Sequence, residues 1–150
     1  MTVQAIARAA AGNGVRLLDV HLDADHNRSV LTLTGAPDAL VAAAFAAIDR
    51  AVALIDINSH EGVHPRIGVV DVVPFAPVAG VSREVCVLAA RALGQRVGEE
   101  LGIPVYLYEW AAIVPEHENL ADVRRKYADH RSRDEPLTPD HGPPHPHPRA

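Results

Sequence analysis

Residues 15–57 read VRLLDVHLDADHNRSVLTLTGAPDALVAAAFAAIDRAVALIDI, and the period of the apolar residues changes partway along them. Residues 15–21 and 28–34 are rich in Val, Leu and Thr and predict two strands, joined by an acidic link, LDADHN, with turn chemistry. Pro37 and Asp38 then open a helix to about residue 57. Its Leu40, Ala44, Ala47, Ile48, Ala51 and Leu54 recur at spacings of three and four, so one apolar stripe faces a sheet. Upstream, residues 3–11 predict a short alanine-rich helix stopped by Gly12, Asn13 and Gly14, residues suited to a left-handed cap. Downstream, a polar loop over residues 58–66 leads into IGVVDVV at 67–73, whose branched apolar residues predict a largely buried strand ended by Pro74 and Pro77. Ser82 as N-cap and Glu84 in the first turn predict a helix to Leu101, closed by Gly102 and Pro104. A strand at 105–108 and a short helix at 119–127 complete the series. The order predicts an α/β fold of the α+β sandwich kind, a mixed β-sheet with helices packed on one face.

The composition fits one soluble domain. The chain has 150 residues, 48% hydrophobic and 22% charged, with a net charge of −5. An acidic balance without a concentrated basic face disfavours a nucleic-acid binder. No stretch approaches the roughly 20 apolar residues of a membrane span, and the start lacks a secretory pattern, so a cytoplasmic location is expected. Cys86, the only cysteine, cannot pair within the chain and reads as a small buried thiol. Six of the 12 prolines and four of the nine histidines lie at or beyond residue 130. Residues 1–128 are therefore expected to form the folded body, and 129–150 a Pro/His-rich tail barred from helix interiors and central strands.

Two loops could carry chemistry. Asn58 to Arg66, NSHEGVHPR, sets His60, His64, Glu61 and Arg66 between a helix end and a strand. An imidazole titrates near pH 6.5 and can exchange a proton at neutral pH, and Arg66 could fork onto a carboxylate. A solvated connecting loop is the plain alternative. The second loop, His21 to Arg28, offers imidazoles and carboxylates whose spacing matches no metal signature, so it reads as a polar turn facing a substrate, with no metal. Asp71 interrupts an apolar run and must be paired, hydrogen-bonded or turned to a site, with structural and functional roles both open. Tyr106, Tyr108, Glu109 and Trp110 could line a groove or pack a core. No GxSxG elbow, Walker loop or GxGxxG is present.

The stretches LLDVHLDADHNRSVLTLTG, EGVHPRIGVVDVVPFAPV and GVSREVCVLAARALGQRVGEELGIPVYLYEWAA resemble, in order and spacing, the N-terminal subdomain of glutamate formimidoyltransferase, the formiminotransferase half of formiminotransferase-cyclodeaminase. The resemblance covers about residues 17–125, and PDHGPPHPHPRA resembles the connector to the family's C-terminal subdomain. It implies transfer of a formimino group from N-formimino-L-glutamate to N5 of tetrahydrofolate, a co-substrate, in histidine degradation and one-carbon metabolism, without a metal. The histidine of the family's HPR motif falls on His64, which would be the catalytic acid/base. Arg66 would sit near a substrate carboxylate, Asn27 and Arg28 match the family's NR pair, and His21 and Asp71 join them as substrate-binding candidates. His21 stands where some members carry a carboxylate. The family's opening strand has no counterpart here, and its folate groove lies between two subdomains. A second chain supplying the C-terminal subdomain, or a homodimer, is therefore implied. The alternative is a noncatalytic folate-binding or interaction remnant of the fold.

Overall fold

A computed structural model describes residues 2–59, 61, 67–78, 80–132 and 137–150, with the side chains of 131 and 132 excepted. The chain divides into two compact units, residues 1–72 with 149–150, and residues 73–148.

The first unit holds helix α1 (Thr2–Ala10), strands β1 (Arg16–Asp23) and β2 (Arg28–Thr34), and helix α2 (Pro37–Leu54). Gly12, Asn13 and Gly14 all take positive φ, the conformation that ends α1 and turns the chain into β1. β1 and β2 pair antiparallel, with Val20 opposite Leu31, His21 opposite Val30 and Asp23 opposite Arg28. The register slips between Leu17 and Asp19, which leaves Leu18 bulged and exposed. Alternation beyond the bulge puts Val20, Leu22, Leu31 and Leu33 on one face, and Asp19, His21, Asp23, Arg28 and Val30 on the other. α1 packs on both strands and on α2, burying Ile6, Ala7 and Ala10, while α2 buries Ala43, Ala44, Ile48 and Ala51. α2 stops at Leu54, short of the expected residue 57. Ile55 is extended, and Asp56 diverts the chain into a 3-10 turn (Ile57–Ser59) by accepting the Asn58 amide at 3.0 Å. At this end Ile57 donates its amide to the carbonyl of Arg149.

In the second unit, helix α3 (Arg83–Leu101) buries Ala89, Leu93, Gly94, Val97 and Gly98. Ser82 holds the N-cap position in an extended conformation without bonding the helix backbone; its hydroxyl engages the Glu84 carboxylate instead, which lowers the pKa of that carboxyl. Gly102, at φ 63°, ends the helix as its sequence implies. Two 3-10 turns (Glu109–Ala111 and Pro115–His117) lead to helix α4 (Leu120–Ser132). Arg91 of α3 ties down the first turn by donating to the carbonyls of Ala111 and Ala112, both at 3.2 Å.

Among the described residues the sheet is a two-stranded antiparallel ribbon, not the larger mixed sheet expected. The strand expected at 67–73 does not form. Its branched residues suit a pleated surface, but they find no ladder partner, and Val70 and Val72 stand exposed. The strand expected at 105–108 is reduced to one bridge, Val105 with His141, because the next backbone donor, Leu107, bonds the Asp140 side chain instead of a carbonyl. The proline-rich residues 137–148, which stay outside any helix or ladder, are nonetheless tied to the second unit at Val105, Tyr106, Leu107 and His117. No helix among the described residues is long and apolar enough to cross a membrane.

Candidate functional site

The polar face of the ribbon ends in the turn between its strands. Asp23, the last residue of β1, accepts the His26 amide at Oδ1 (3.0 Å), and its Oδ2 lies 2.8 Å from the His26 ring Nδ1. The amide bond is the larger reason that the Asp23 pKa is lowered, with the ring's hydrogen bond and charge adding to it. The turn closes with Asn27 at φ 49°, a left-handed conformation that an Asn side chain tolerates better than most. Asp23 and His26 thus pair with each other, and they fix the turn.

Asn27 reaches across the sequence. Its side-chain amide donates to the carbonyl of Glu61 at 2.9 Å, joining the start of β2 to the polar loop after α2. Arg28 opens β2, with its guanidinium 3.9 Å from the Asp71 carboxylate and both side chains partly buried. Asp71 thus faces a cation, in a stretch that stands exposed on either side of it. His21 lies on the same face as Asp23 and Arg28, exposed, opposite Val30. Cross-strand neighbours on such a face stand about 5 Å apart and residues two along a strand about 7 Å, so imidazole, carboxylate and guanidinium lie within one small ligand's reach.

The structure thus brings together Asn27, Arg28 and Asp71, and places His21 on the same ribbon face as Arg28. His60, His64 and Arg66 lie outside the described residues. Glu61, three residues before His64, is described and is the point that Asn27 holds. Sequence reasoning did not find the Asn27–Glu61 link, whose partners are 34 residues apart, nor the pairing of Asp23 with His26, although that spacing of three across a turn is a legible signal.

The aromatic cluster of the second unit divides. Tyr106 is packed edge-on against His117 and Tyr127, and burial pushes its phenol up to about 12. Trp110 stands 67% exposed beneath the Arg83 guanidinium, 3.9 Å from the ring centre, presented by Glu109 at φ 52°. Cys86 is half-buried, more open than a core thiol.

Comparison with known proteins covers the whole chain. The family described as "Formiminotransferase domain, N-terminal subdomain" matches residues 1–150. The chain is 46% identical over 139 residues to the glutamate formimidoyltransferase of Thermoplasma acidophilum, covering 89% of this chain and 46% of that protein. It is 40% identical over 148 residues to the glutamate formimidoyltransferase of Streptococcus pyogenes, covering 97% of this chain and 50% of that protein. Against the formimidoyltransferase-cyclodeaminase of Mus musculus the identity is 48% over 123 residues, covering 81% of this chain and 23% of that protein. The chain thus spans half or less of the length of these relatives.

Proposed function

The chain belongs to the formiminotransferase N-terminal subdomain family, and from that membership we propose that it supplies the N-terminal half-site of a glutamate formimidoyltransferase. The substrates are N-formimino-L-glutamate and tetrahydrofolate, and a C-terminal subdomain completes the site. The folate N5 attacks the formimino carbon. A new C–N bond forms, and the bond from that carbon to the glutamate nitrogen breaks. His64 takes the proton shed by the attacking nitrogen and returns it to the departing amine, a relay suited to a group that titrates near neutrality. Arg66 and Arg28 offer forked donors to substrate carboxylates. Asp71 orients Arg28, and His21 extends the substrate-facing surface.

The family match over residues 1–150 carries this reading, and the hydrogen bond from Asn27 to the Glu61 carbonyl supports it by joining the strand start bearing Arg28 to a residue three positions before His64 in the sequence.

The test is calorimetric titration of the purified chain with tetrahydrofolate, repeated on His64→Ala, together with a transfer assay after addition of a separately produced C-terminal half of the Thermoplasma acidophilum relative. Folate heat in both proteins is expected, because an acid/base group acts mainly in the transition state. Transfer should appear on complementation and fall about 100-fold or more in His64→Ala. Binding without transfer under complementation would favour the folate-binding remnant, and transfer that survives the substitution would remove His64 from its role.

A further inference from the structure

Residues 137–142 lie along the 105–107 segment, joined to it by one antiparallel bridge. Val105 donates its amide to the His141 carbonyl at 2.9 Å, and its own carbonyl accepts the amides of Asp140 (2.9 Å) and His141 (3.3 Å). Two residues further, the Leu107 amide is taken by Asp140 Oδ2 at 2.7 Å, and the same oxygen lies 3.0 Å from the His117 ring Nδ1. The His117 and Asp140 side chains are only 7% and 5% exposed. A buried carboxylate is expensive unless its acceptors are engaged, and here one oxygen holds donors from two separate segments. Tyr106 adds a bond from its hydroxyl to the Leu137 carbonyl.

The seat is shaped by missing side chains. A Cβ on Gly98 of α3 would stand 2.5 Å from the Gly142 amide nitrogen and 2.8 Å from His141 Cβ, closer than real Cβ contacts come. Gly142 itself sits at φ 84°, where a side chain would be strained and would strike the Ile103 backbone. Two glycines, 44 residues apart, thus let the segment lie directly on the helix.

We propose that residues 137–142 form a clasp, seated on Gly98 and latched by the His117–Asp140 contact, that opens and closes as one piece while the rest of the second unit stays folded. Closed, it covers the backbone groups of Val105 and Leu107. Open, it exposes that edge, which an extended segment can pair with. The clasp is held by three backbone bonds, the two contacts of the Asp140 carboxylate and the Tyr106 hydroxyl, whereas α3 is held by its own ladder and an apolar core, so the two open at different free energies.

Native-state hydrogen exchange on the full chain tests this, following the amides of Val105, Leu107, Asp140 and His141 against Leu93 and Val97 inside α3. In His117→Leu the four clasp amides should speed up together by at least about tenfold, the size expected for losing a hydrogen bond to a charged group. His117→Asn, whose side-chain nitrogen stands near the position of Nδ1, should restore much of the protection. Gly98→Ala should release the same four amides while the α3 amides stay protected, because alanine is the better helix former. Acceleration of Leu107 alone would show a local bond and no clasp. Equal acceleration of α3 would show that the segment is inseparable from the core. Should the variants fail to fold, the wild type in low denaturant gives the same decision. The four amides must merge at a common opening free energy below that of α3, and exchange of both groups through a single global opening overturns the proposal.

Discussion

Asp23 shows how one residue couples charge to shape. Its lowered pKa means that it stabilises the turn fully above the unfolded value, near pH 4, and loses that contribution as pH falls through the folded value. The stability difference between the wild type and Asp23→Ala, read from denaturant midpoints at a series of pH values, should be widest above about pH 5 and close in stronger acid. A difference that does not vary with pH would separate the turn from the charge. Tyr106 has the opposite sign. Burial raises its phenol to about 12, so its contribution is whole below the ordinary phenol value of about 10 and disappears as pH rises through 12. Ultraviolet titration should show a late phenol that is absent in Tyr106→Phe, and that variant should lose about 1 kcal/mol through the orphaned Leu137 carbonyl. Of the candidate site, Arg28 and Asp71 were legible as residues, since a carboxylate in an apolar run demands a partner. The identity of that partner was not, because 43 positions separate the two in sequence.

At the scale of elements, helices were the more readable, because their caps and stripes are local. Gly12 to Gly14, Pro37 and Gly102 end or begin helices as their chemistry requires. Ala51 of α2 is only 2% exposed, so Ala51→Leu should overpack its surroundings and cost about 1–3 kcal/mol in chemical denaturation. The exposed pair of Arg83 and Trp110 is worth less. Arg83→Ala should cost about 0.5–1 kcal/mol and change the emission of the chain's one tryptophan; unchanged emission would mean that the stacking is not kept in solution. Residues 67–73 and 105–108 were misread because branched apolar runs report suitability for a strand, while a strand exists only where a second backbone arrives to pair with it.

At the scale of the whole molecule, net charge makes a prediction without reference to fold. A chain at −5 with no basic stripe should give no salt-dependent retardation of duplex DNA in a gel-shift assay at physiological ionic strength, and a clear shift would contradict the reading of its surface. The sequence by itself determined the helices, the hairpin with its turn, the family and the residue types in the two candidate loops. These follow from local propensity, short-range capping and motif order, all of which are written in consecutive residues. The tertiary structure alone decided that Asn27 holds the Glu61 carbonyl, that Arg28 faces Asp71, and that a proline-rich end seats on Gly98 and is latched by His117. Each joins segments 23 to 44 positions apart, and no local rule sets which distant donor meets which acceptor; that choice is made by the packing that brings them together.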